Sequence, residues 1–106
     1  MYPTRIDDSI DLRRAARHRA NLPVIMERLA GDEQQVRIVN VSAHGFMVEG
    51  DVGMDRGDRV IVRLPVVGRI EAHMVWNANG KAGFQLERVI RLPDFMKMLE
   101  HVNPRG

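Results

Sequence analysis

From Leu22 onward the chain alternates short apolar runs with turn residues. Val60, Val62 and Leu64 alternate with Arg59, Ile61 and Arg63, the period-two pattern of a half-buried strand. Ile70, Ala72, Met74 and Trp76 alternate in the same way with Arg69, Glu71 and His73. Asn79-Gly80 follows, the pair that best accepts the positive φ values of a tight hairpin turn. Ala82, Phe84 and Leu86 then form the inward face of a last strand. Upstream, Leu22 to Met26 is a short run broken by Pro23, which predicts a position near a sheet edge. Ala30 to Glu33 is a turn. Val36 to Val41 is a β-branched strand, Ser42 to Gly45 breaks it, and Phe46 to Glu49 resumes. Gly50 to Asp58 carries three glycines and reads as a loop, and Pro65 to Gly68 as a turn.

The period changes near the end. Phe95, Met98, Leu99 and Val102 follow i, i+3, i+4, i+7 spacing, an amphipathic helix. Pro93 suits its first turn, Asp94 complements its positive end, and Asn103-Pro104 is read as its stop. About six antiparallel strands with frequent turns favour an all-β fold, a small barrel or sandwich, with the helix covering one open side.

Composition limits what such a domain can do. The 106 residues make one domain with one core, and at 5% aromatic content that core is aliphatic. Without cysteine there is no disulfide, thiolate metal site or cysteine nucleophile. His18, His44, His73 and His101 have no metal-ligand spacing, so neither a metal nor a cofactor is expected. Paired acids occur at Asp7-Asp8 and Asp32-Glu33, on an arm and a turn that would not tune them for catalysis, so no enzyme is expected. No apolar run approaches the roughly 20 residues that span a bilayer, and the first residues lack a signal-peptide core. The expectation is a cytoplasmic protein.

The charge matters through its arrangement. The net value is only +2, too small for a protein that coats nucleic acid. Yet Arg13, Arg14, Arg17 and Arg19, with His18, form a run free of acids, just after Asp7, Asp8 and Asp11. A local cluster of this kind points to a small anionic partner. Residues 1–12 read as a mobile arm and 13–106 as the folded domain. Two other readings stay open for these residues. The arginine run also fits a solvated face, and Asn40-Val41-Ser42 also fits a strand end whose side chains bond their own backbone. Trp76 reads as core or barrel rim in preference to a stacking platform.

Arg13 to Arg17 forms an RxxxR pattern. After 22 intervening residues, Asn40-Val41-Ser42-Ala43-His44-Gly45 forms an NxSxxG pattern at the end of a strand. This ordered pair resembles the signature of the PilZ family, and Leu22-Pro23-Val24, Trp76 and Ala82-Gly83-Phe84 are similar to the rest of its pattern. Leu86 departs from it, because an aromatic residue often stands there. The resemblance implies a six-stranded β-barrel that binds cyclic di-GMP without catalysis, as a monomer or a ligand-linked dimer. It implies ligand contacts from Arg13, Arg14, Arg17, Asn40, Ser42 and Gly45. It also implies a downstream protein target in motility, polysaccharide or pilus machinery. The alternative is a PilZ-like interaction module that has lost the nucleotide.

The chemistry agrees with that ligand. An arginine fork matches either a phosphate or the O6/N7 edge of guanine, while Ser and Asn complete hydrogen bonds. A glycine lets backbone come close where a side chain would collide, or takes positive φ.

Overall fold

Six strands close on themselves in the order β1-β2-β3-β6-β5-β4, every neighbouring pair antiparallel. They are β1 (His18–Arg28), β2 (Glu33–Val41), β3 (Gly45–Glu49), β4 (Arg59–Leu64), β5 (Gly68–Ala78) and β6 (Lys81–Leu86), followed by one helix, α1 (Leu92–Leu99). This is a computed structural model, and it describes residues 16–29, 31–50 and 52–102. The expected arm, Arg13 and Arg14 lie outside the described residues.

The all-β class and the six-strand barrel follow the alternation. Val60, Val62, Leu64, Ile70, Ala72, Met74, Ala82, Phe84 and Leu86 all face a continuous core. Leu86 fills its core position as an aliphatic residue in place of the aromatic one. β1 is longer than the apolar run from Leu22 to Met26, because it also takes in the mostly polar stretch from His18 to Asn21, whose Ala20 packs against the core. Along its first half β1 pairs with β2 alone, and it meets β4 only at Met26 to Arg28. Pro23 therefore sits where a missing donor is tolerated. Between β5 and β6, Asn79 and Gly80 have φ of 55° and 75°, the two positive values that the turn requires.

The two ends of the barrel are closed differently. At one end Phe95 and Met98 of α1 enter the core, joined by Ile90 and Val102. The helix stops at Leu99, earlier than Asn103-Pro104 implied. Val102 still reaches the core in a turn, where its carbonyl accepts the Asn21 amide at 2.8 Å. At the other end Val52 and Met54 of the 50–58 loop plug the opening. Arg28 donates to the Val52 carbonyl at 2.9 Å, and Asn77 to that of Met54 at 3.2 Å.

One turn is strained. Val66 has φ of 70°, and the Val67 amide bonds back to the Pro65 carbonyl at 2.6 Å, a γ-turn of the rare positive-φ kind. A β-branched side chain is poorly suited to that backbone. Val66 is also half exposed, so its loss removes little packing. We expect Val66→Gly to raise stability by about 1 kcal/mol, less the extra entropy of glycine in the unfolded chain. A midpoint lowered by the whole entropy cost of glycine would show that the strain is not there.

A charge network spans the outer face of β1, β2, β4 and β5. In register, Glu27 faces Glu33, and Arg63 faces Arg69. Each like-charged pair is resolved by the other. Arg63 donates to Glu27 at 2.9 and 3.0 Å and to Glu33 at 3.0 Å, and Arg69 reaches Glu27 at 3.0 Å. The hydrogen bond from Arg63 is the largest cause that holds the Glu27 carboxyl below its ordinary 4.5; Arg69 assists and desolvation opposes. A lowered folded-state pKa stabilises the fold above the unfolded value, and that contribution is lost as pH falls through the folded one. Below about pH 4.5 the urea midpoint should fall, and the fall should be shallower in Glu27→Gln. Identical acid limbs in the two chains would contradict this.

Candidate functional site

Two bulges decide which side chains reach the outer surface beside the β2–β3 turn. On β2 the register with β3 shifts between Ile38 and Asn40, so that Ile38 pairs with Val48 and Asn40 with Met47. On β5 the register with β6 shifts between Met74 and Trp76, so that Met74 pairs with Phe84 and Trp76 with Gly83. Each extra residue turns the strand half a pleat. Ile38 and Met74 point inward, while Asn40 and Trp76 stand on the outer face. Trp76 is therefore not the inward residue that unbroken alternation predicts. Its place is the wall of a groove.

The pairings make one row across the barrel surface: Arg19, Asn40, Met47, Gly83 and Trp76, from β1 through β2, β3 and β6 to β5. Beside it Gly45 pairs with Gln85, and Gln85 with His73. Along these rows runs an open groove of about 190 Å³. Arg17, Asn40, Ser42 and Gly45 all line it, and so do His44, Met47, Trp76, Gly83 and Gln85. Arg17, the last residue of the first pattern, meets the second here because β1 begins where β2 ends, with His18 opposite Val41.

The polar groups divide into two kinds. Ser42 is engaged locally. Its Oγ accepts the amides of His44 at 3.2 Å and Gly45 at 3.3 Å, and its own amide donates to the Gly45 carbonyl at 2.8 Å. The turn reading of Ser42 thus describes its oxygen, while the hydroxyl hydrogen has only a 3.5 Å approach to the Gly45 carbonyl. The side chains of Arg17, Asn40 and Gln85 form no hydrogen bond or ion pair among the described residues. They leave a guanidinium and two amides facing an apolar wall.

Gly45 does not take positive φ. It is needed for close approach, since a Cβ built on it would stand 2.2 Å from the Phe84 carbonyl oxygen. Gly83 is similar, but there the obstacle is the Trp76 indole, whose Nε1 would lie 2.2 Å from the added carbon. Trp76, Gly83, Met47 and Gln85 were not singled out as site residues from sequence. The signal was present in the hairpin: counting back from Asn79-Gly80 pairs Trp76 with Gly83.

A search of curated proteins finds no match. Among solved structures, the chain is similar to the crystal structure of the PilZ domain of CeSA from a cellulose synthesizing bacterium, with TM-score 0.61 and 18% identity. That match covers 83% of this chain and 95% of the other. At this identity it speaks for the fold. A sequence model of the PilZ domain matches residues 11–102, which takes in the arginine segment, every strand and the helix. The chain belongs to the PilZ domain family.

Proposed function

We propose that this chain binds cyclic di-GMP in the outer-face groove and relays its occupancy to a protein target in the bacterial cytoplasm. PilZ domains are binding and signalling domains, and cyclic di-GMP is the ligand generally associated with the family. One observation carries the reading for this chain. Arg17, from the first pattern, and Asn40, Ser42 and Gly45, from the second, border the same groove. A cyclic dinucleotide offers two phosphates and two guanines. The guanidinium of Arg17, without a partner among the described residues, is suited to either. The amides of Asn40 and Gln85 suit a base edge, and the Trp76 wall suits a base face. Arg13 and Arg14 precede Arg17 in the same run and would add further forks.

Arg17 immediately precedes β1, so a ligand that holds the arginines against β2 and β3 would alter the surface around the β1 entry. That altered surface is what a target in motility, polysaccharide or pilus machinery would read. No helix among the described residues is long and apolar enough to cross a membrane.

Titration calorimetry of the full chain with cyclic di-GMP tests the reading, at stated salt and with stoichiometry as a readout. One ligand per chain would describe a monomeric site, and two would describe a ligand-linked arrangement. Absence of heat at micromolar protein would refute nucleotide binding. It would leave a PilZ interaction module whose partners ignore the nucleotide.

A further inference from the structure

We infer that Gly83 is a positioning residue of the groove: its missing side chain is the seat on which the Trp76 indole lies. This inference rests on the proposal that the groove takes the nucleotide. The geometry is specific. A Cβ on Gly83 would stand 2.2, 2.5 and 2.8 Å from Nε1, Cε2 and Cδ1 of Trp76. All three atoms belong to the five-membered ring, so the indole edge occupies the space where any other residue would place its first carbon. No backbone atom is among the three nearest obstacles. Gly83 does not have positive φ either, so its backbone does not ask for glycine. What requires glycine here is the aromatic ring across the strand.

The bulge and the glycine act together. The bulge beside Val75 turns Trp76 to the outer face, and Gly83 lets the ring settle against β6 there. Met47, opposite Gly83 on β3, borders the same stretch of groove. The result is a half-buried indole whose orientation is fixed before any ligand arrives. A fixed aromatic face stacks on a planar heterocycle at a lower entropy cost than a mobile one. Alanine at 83 would lift the ring without removing a polar group or shifting a strand.

Trp76 is the chain's single tryptophan, so its fluorescence reports this site alone. In full-length Gly83→Ala we expect a red-shifted emission in the free protein and cyclic di-GMP affinity lower by about tenfold, the scale of one base–aromatic stack. In a Trp76→Ala background the same substitution should cost nothing further, because the obstacle is gone. Should Gly83→Ala fail to fold, the double variant should fold. Unchanged emission would overturn the inference. So would equal loss of affinity with and without Trp76, or a double variant that also fails to fold. If the intact chain binds no cyclic di-GMP, the nucleotide reading falls by itself, and the emission and folding measurements still decide the role of Gly83.

Discussion

Replacing Arg17 by alanine is expected to weaken cyclic di-GMP binding by about 100-fold, the scale of a lost bidentate charge-assisted contact. Arg13→Ala should act in the same direction, and the two together should abolish measurable heat. The reason lies in what Arg17 does in the free protein. It is exposed, it borders the groove, and its guanidinium has no partner among the described residues. Removing it should therefore leave the unfolding free energy from urea denaturation within about 0.5 kcal/mol of the intact chain. The substitution separates recognition from folding. Arg17→Lys sharpens the test, because it keeps the charge and loses the planar fork. If lysine restores full affinity, the contact is only a point charge, and the reading of a fork on phosphate or guanine is wrong. If Arg17→Ala binds as the intact chain does, the groove is not the nucleotide site.

Much of the barrel could be read from period alone. Strands β4 and β6 have one inward residue at every second position, with Val60, Val62 and Leu64 on one and Ala82, Phe84 and Leu86 on the other. Alternation carries over directly wherever a strand stays in register. It fails at register shifts, and those of β2 against β3 and of β5 against β6 lie beside the groove; a third falls between Arg19 and Leu22 of β1. On β5, Met74 and Asn77 face inward opposite Phe84 and Ala82, three steps against two. The extra residue cannot be seen in the apolar pattern, because Val75 and Trp76 are both apolar and either one can be the inward residue. The hairpin did contain the answer. Asn79-Gly80 fixes Trp76 opposite Gly83, and Gly83 faces out because Ala82 and Phe84 face in. Local turn chemistry was the better guide to the site than hydrophobic period.

The end of α1 was misplaced for a related reason. Val102 continues the i+7 spacing of the helix and is fully buried, so it looks helical in sequence. Its burial comes from a turn pinned to Asn21. Spacing records which residues reach the core, and a turn can bring a residue to the core as well as a helix can. The two sequence patterns at the groove were legible as chemistry. Their meeting was not, since it depends on β1 starting at His18 and running beside β2, and the stretch from His18 to Asn21, with Ala20 its one apolar residue, gave no strand signal.

Gly45→Ala is expected to lower stability by about 3 kcal/mol, the upper range for forcing atoms into a packed site. This motif residue would then lose ligand binding for a reason unlike that of Arg17. The added Cβ would meet the Phe84 carbonyl oxygen at 2.2 Å and the Gln85 Cα at 3.2 Å. Both are backbone atoms of β6, and neither can rotate away as the indole beside Gly83 can. Relief would require β3 and β6 to separate where Gly45 pairs with Gln85 and Phe46 with Phe84. The stacked rings of Phe46 and Phe84, 5.1 Å apart, would be disturbed with them. The Ser42 turn would also suffer, because its Oγ accepts the Gly45 amide. Urea denaturation of Gly45→Ala beside Arg17→Ala gives the decision. A large fall in midpoint for the first and none for the second assigns Gly45 to the frame of the groove and Arg17 to its contacts. A Gly45→Ala chain as stable as the intact one, yet unable to bind, would mean that Gly45 meets the ligand directly and that the barrel accommodates the extra carbon.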